Sequence, residues 1–167
     1  ILKMTFSDML STIFTGNNIA LFGAALAAIL PGMGSAKGVG MVGEAAAGLV
    51  SEDPSKFGKA LLLQALPATQ GIYGFITAFL ILFKMGVFSG SVSTLTIAQG
   101  AYFFVAALPI AVVGYVSAVK QGKVSVAGVS LLSKRPKEVG KAMTSAAMVE
   151  AFAIFALLVS LLMILFS

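Results

Sequence analysis

The stretch AAMVEAFAIFALLVSLLMILF, residues 146–166, is apolar throughout apart from Ser160 and a single acid, Glu150. A helix rises 1.5 Å per residue, and about 20 apolar residues cross the ~30 Å hydrocarbon core of a bilayer. The stretch therefore reads as a membrane-spanning helix with Glu150 near the middle of the bilayer. An ionised carboxylate at that depth costs upwards of about 2.5 kcal/mol even on insertion scales, so an acid there marks a functional site. The alternative is a Glu that stays protonated, or pairs with a lysine, and only holds helices together.

Outward from this stretch the chain keeps the same character. Of 167 residues, 59% are hydrophobic and 10% charged, where a soluble domain carries about a quarter charged residues. Such a length holds about three to five spans and no soluble domain. Cysteine and histidine are both absent, which removes thiol and imidazole chemistry, disulfides and the usual zinc, haem and iron–sulfur ligand sets. There is no G-x-x-x-x-G-K-[ST] phosphate loop and no acid–base pair for hydrolysis, so the chain itself is not expected to be an enzyme. The formal net charge of +5 reads as a signal of membrane orientation, not as a nucleic-acid footprint.

Turn formers, proline and charge interrupt the apolar sequence at 51–55 (SEDPS), 84–94 (KMGVFSGSVST) and 133–137 (SKRPK). Four helices follow, roughly 12–50, 55–84, 95–132 and 136–166. The first and third exceed what a bilayer requires and end in Gly-rich, more polar stretches, so they are expected to project beyond the membrane or tilt. The apolar run 19–30 resembles a signal-peptide core, but it continues into a longer helix-compatible stretch and reads as a retained span.

The two halves repeat at an offset of 82: Gly32/Gly114, Ser35/Ser117, Gly40/Gly122, Pro54/Pro136, Gly58/Gly140 and Lys59/Lys141. The chain is thus expected to be two helical hairpins, 1–86 and 87–167, copied in parallel and not inverted as in many secondary transporters. Basic residues gather near the two hairpin loops, leaving Lys3 and Lys84 at the opposite ends. Positive-inside reasoning puts both loops in the cytoplasm and both termini outside, in a multi-pass plasma-membrane protein.

Because the basic residues crowd the loop ends, none is expected at the depth of Glu150, and its partner should be a mobile cation or a hydrogen-bond network. Counting from the loops, Glu150 lies 14 residues beyond Pro136 and Gln121 lies 15 before it, so the two share a height. The offset maps Glu150 onto Ala68, which brings Leu66, Thr69 and Gln70 within about one turn of that height. Pro67 removes a backbone hydrogen bond, and freed carbonyls beside Gln and Thr suit a hard cation that prefers oxygen. Taken alone, Thr69 and Gln70 could equally be interhelical glue. Tyr73, three residues past Gln70, is placed to reach the carboxylate as a gate or proton partner, or else packs as an ordinary aromatic. The first hairpin has Val39 and Ala68 where the second has Gln121 and Glu150, which leaves one carboxylate per four helices.

The segments GSAKGVGMVGEAAAG, LLLQALPATQGIYGF, KQGKVSVAG and AAMVEAFAIF resemble the duplicated proteolipid, or K subunit, of bacterial V-type (A/V-type) ATPases, over nearly the whole chain. In the sodium-carrying members, positions matching Leu66 (backbone carbonyl), Thr69, Gln70, Gln121 and Glu150 hold Na⁺, and a tyrosine matching Tyr73 bonds the carboxylate. All six are filled here by the same residue types. The resemblance implies Na⁺ as the carried ion with H⁺ as its competitor. It also implies a homo-oligomeric ring in lipid, a membrane stator subunit with an essential arginine, and a central-stalk subunit on the cytoplasmic loops. ATP hydrolysis would then lie on other subunits. Pro31 within helix one and a longer N-terminus are the departures. Rival readings are a proton-only ring, an autonomous small channel or carrier, and a structural oligomer.

Overall fold

A computed structural model describes residues 5–167, with the backbone alone for residues 7–9. Lys3, counted above at the far end, lies outside the described residues. The elements are α1 (Phe6–Ile13), α2 (Gly16–Glu52), α3 (Phe57–Ala65), α4 (Thr69–Lys84), α5 (Ile97–Lys134) and α6 (Val139–Leu165). One-turn 3₁₀ segments at Pro54–Lys56, Leu66–Ala68 and Pro136–Glu138 lead into α3, α4 and α6. Taken with those turns, four helices among the described residues are long and apolar enough to cross a membrane: Gly16–Glu52, Pro54–Lys84, Ile97–Lys134 and Pro136–Leu165. These match the four expected spans to within a few residues. The difference is at the start, where the first span begins at Gly16 and a separate short helix, α1, precedes it. Thr15 breaks the two apart, its hydroxyl accepting from the Asn18 N–H as the N-cap of α2, while the Asn18 amide donates to the Thr12 and Ile13 carbonyls at the end of α1.

α2 and α5 lie along each other at the centre, α3–α4 pack on α2, and α6 packs on α5. Glycine makes the central contact close: a Cβ on Gly122 would lie 2.6 Å from Cα of Gly38, and one on Gly34 would lie 2.8 Å from Cα of Tyr115. Small residues of this kind let membrane helices approach until their backbones touch. Pro31 finds its reason here. Its ring is fully buried and fills the space left by Gly74 on α4 and Gly114 on α5.

Both ends of the bundle are tied across the repeat. At the loop end, Lys56 and Lys59 donate to the carbonyls of Ser133 and Pro136 (3.2 and 3.1 Å). At the far end, the Asn17 amide donates to the Ser93 carbonyl and accepts from the Leu95 N–H (2.9 and 2.8 Å). α4 turns into this segment through Gly86 and Gly90, both at positive φ, which only glycine adopts without strain. A capping box of Thr96 and Gln99 then starts α5.

The interior divides into two apolar cores. The far-end core is built on Ala27, Ile81, Met85, Ala107 and Ile110, and the loop-end core on Val42, Leu63, Val129 and Leu132. Between them lies a polar layer of Ser35, Gln70, Ser117 and Gln121, all buried. The outward faces of α4 and α6 carry exposed large apolar side chains such as Phe75, Phe79, Phe152 and Phe155, a pattern suited to lipid contact.

Candidate ion-binding site

The polar layer is assembled where Pro67 interrupts the second span. Lacking an N–H, Pro67 cannot continue the α-helical ladder, and the backbone tightens into the 3₁₀ turn Leu66–Ala68 before resuming as α4. Two polar contacts mark the first turn of α4. The Thr69 hydroxyl turns back to donate to the Leu66 carbonyl (3.1 Å) or to Gln70 Oε1 (3.3 Å). The Gly71 N–H donates across to the Ser35 hydroxyl of α2 (2.9 Å).

Gln70, with no exposed surface, reaches α5, where its amide nitrogen donates to Gln121 Oε1 (2.6 Å) and to the Ser117 hydroxyl (3.2 Å). Gln121, also fully buried, donates in turn to the Ala146 carbonyl and to Glu150 Oε2, both at 3.2 Å. Tyr73 donates its hydroxyl to the other carboxylate oxygen, Oε1, at 2.6 Å. All six residues singled out in the sequence, Leu66, Thr69, Gln70, Tyr73, Gln121 and Glu150, therefore belong to one hydrogen-bonded network joining α3–α4, α5 and α6. Each buried amide has its partners, and leaving one unpaired here would cost about 1–3 kcal/mol.

Sequence reasoning missed two serines. Ser117 accepts from Gln70 and donates to the Val149 carbonyl (3.0 Å), and Ser35 caps the first turn of α4 as described. Their recurrence at the same place in both halves was the available signal, read only as evidence of the repeat. The expectation that no basic residue shares the depth of Glu150 needs correction. Lys120 adjoins Gln121 in sequence and so lies at that depth, but about 100° round the helix, on the exposed side of α5. Among the described residues the ion pairs are Lys56–Asp53 and Lys141–Glu138, both beside the loops.

Glu150 sits near the middle of α6 and is partly exposed on the outward side. One carboxylate and several neutral oxygens balance one positive charge, so the arrangement suits a proton or a monovalent hard cation better than a divalent one.

The chain matches the ATP synthase C-subunit family twice, over residues 22–81 and 104–163, segments that start 82 residues apart. It is 48% identical over 158 residues to the V-type sodium ATPase subunit K of Enterococcus hirae, covering 95% of this chain and 97% of that protein. It is 42% identical over 142 residues to the A-type ATP synthase subunit K of Methanocaldococcus jannaschii, covering 85% of this chain and 60% of that protein. Matched once in each half, with both halves contributing to the network around a single acid, this multi-pass membrane chain belongs to the ATP synthase C-subunit family, in a duplicated form.

Proposed function

We propose that this chain is the rotor-ring subunit of a rotary V-type ATPase, and that it carries Na⁺ across the membrane on Glu150, with H⁺ as the competing ion. The observation that carries the reading is the meeting, between the two apolar cores of a membrane bundle, of Leu66, Thr69 and Gln70 from one hairpin with Gln121 and Glu150 from the other. The similarity to a sodium ATPase subunit K favours Na⁺. The cation ligands are then the Leu66 carbonyl, Thr69, Gln70, Gln121 and Glu150, and Tyr73 acts as the gate that holds the carboxylate.

In this reading the hairpins 1–86 and 87–167 are the repeating units of a closed homo-oligomeric ring, with α2 and α5 inside and α3–α4 and α6 facing lipid. Cyclic symmetry lets identical contacts close without free ends. A loaded site is neutral and can face lipid. An unloaded one is an anion and is met by an arginine of the stator subunit, whose charge favours the ionised carboxylate. The loops at 51–55 and 133–137 lie in the cytoplasm against a central-stalk subunit, both termini lie outside, and ATP is hydrolysed on other chains.

The test is the rate at which a hydrophobic carbodiimide modifies Glu150 in the purified assembly, since only the protonated, unloaded carboxylate reacts. Protection by added Na⁺ is the expected result. Labelling that follows pH alone would make it a proton ring, and no labelling under any condition would sink the exchangeable carboxylate altogether.

A further inference from the structure

Ser125 stands apart from the other buried polar groups. It is fully buried on α5, and its hydroxyl has no hydrogen-bond partner, alone in this among the buried side-chain polar atoms of the described residues. Buried polar atoms in folded proteins are met by protein groups or by ordered water.

Neighbouring contacts fix its level. Gly128 of α5 faces Leu63 of α3 and Ala142 of α6. Gln121 of α5 bonds Gln70 of α4 and Glu150 of α6. Ser125 lies midway between Gly128 and Gln121, so on these antiparallel helices it stands level with Leu66 and Ala146.

A second group at that level lacks its ordinary partner. Pro67 has no N–H, so the Leu63 carbonyl has no donor four residues on in its own helix. Leu63 and Pro67 are both fully buried on the face turned to α2 and α5. The internal repeat supplies the room. In the first hairpin the Gln64 amide lies against Gly43, its nitrogen 2.6 Å from where a Cβ would be. The counterparts in the second hairpin are Ala146 and Ser125. A long amide side chain has become a methyl group, four heavy atoms fewer, while the glycine has gained a hydroxymethyl group of two.

We infer that Ser125 and the Leu63 carbonyl hold an ordered water molecule one turn to the loop side of the Gln70–Gln121 pair, and that this water fixes the 3₁₀ turn carrying the Leu66 carbonyl and Thr69. Ser125 is then a positioning residue for the cation site. Its functional part rests on the reading of that site, while the water itself does not.

A cryo-electron microscopy map of the purified assembly that resolves water is the direct test. The expected result is a peak within hydrogen-bond distance of Ser125 Oγ and the Leu63 carbonyl oxygen, lost in Ser125→Ala. A wild-type map with no peak there overturns the proposal, whichever ion is carried. Carbodiimide labelling of Glu150 gives the second readout. Ser125→Ala raises the half-protecting Na⁺ concentration about two- to tenfold, the effect of one hydrogen bond. The pH midpoint of labelling without Na⁺ stays in place, and Ser125→Thr restores the wild-type value. A variant equal to wild type, or one whose sodium and proton responses shift together, overturns the positioning role. If Na⁺ fails to protect the wild type, the cation reading has failed, and the map alone upholds or overturns the water.

Discussion

Tyr73 and Gln121 each hold one oxygen of the Glu150 carboxylate, so the two contacts can be removed separately. Tyr73→Phe keeps the ring and deletes the shorter bond. Hydrogen bonds to charged groups contribute about 1.5–3 kcal/mol, and the half-protecting Na⁺ concentration should rise at least about tenfold in the labelling assay. Glu150→Gln should abolish carbodiimide labelling and ATP-driven Na⁺ uptake into vesicles while leaving the assembly intact on native gels. Assembly and activity both unchanged would instead favour the structural-oligomer reading, in which Glu150 stays protonated and glutamine replaces it without loss. The network was legible because an acid inside an apolar helix is costly, and because two amides and a proline fall at its depth, where each alone could have been read as helix packing. Ser117 and Ser35 escaped notice because serine is ordinary in a stretch of small residues, and only the fold shows which way each hydroxyl turns.

Among the helices, the decisive features are the interruption at Pro67 and the glycine contact between α2 and α5. Gly122→Ala should force a shift against Gly38 and destabilise by about 1–3 kcal/mol, read as a lower thermal midpoint in detergent. Gly58→Ala is the control: nothing lies within 4 Å of a Cβ there, and alanine should be neutral or gain up to about 1 kcal/mol in helix propensity. At the first loop, the Asp53 carboxyl is held below the usual carboxylate range by hydrogen bonds from Ser55 and from Lys56. Its contribution is therefore present above the ordinary carboxylate pKa and lost as pH falls through the depressed value. Asp53→Asn should lower the thermal midpoint slightly at neutral pH and leave it unchanged in strong acid. Helix number and span were readable from hydropathy and loop chemistry alone. The separate helix α1 was not, because its break depends on the Thr15 and Asn18 caps, and Pro31 looked like a departure until its glycine neighbours were known.

Across the whole molecule, the absence of cysteine makes any introduced thiol a unique label. Ser55→Cys and Ser133→Cys should react with an impermeant maleimide only from the cytoplasmic side of oriented vesicles, and Ser91→Cys only from the other. The reverse pattern would invert the proposed orientation. The parallel repeat was legible as an offset in the sequence, but not how Lys56, Lys59 and Asn17 lock the two copies together at both ends. Those ties, with Gln70 bonded to Gln121, make the hairpins one rigid tooth with a single charge carrier. In a rotor built from such teeth, the wheel's circumference grows with every helix while its cargo grows only with every fourth. The machine is thereby set in low gear: fewer ions move per turn, each backed by more chemical work. Since lifting one charge against 100 mV takes about 2.3 kcal/mol, such gearing favours holding a steep gradient over moving many ions quickly.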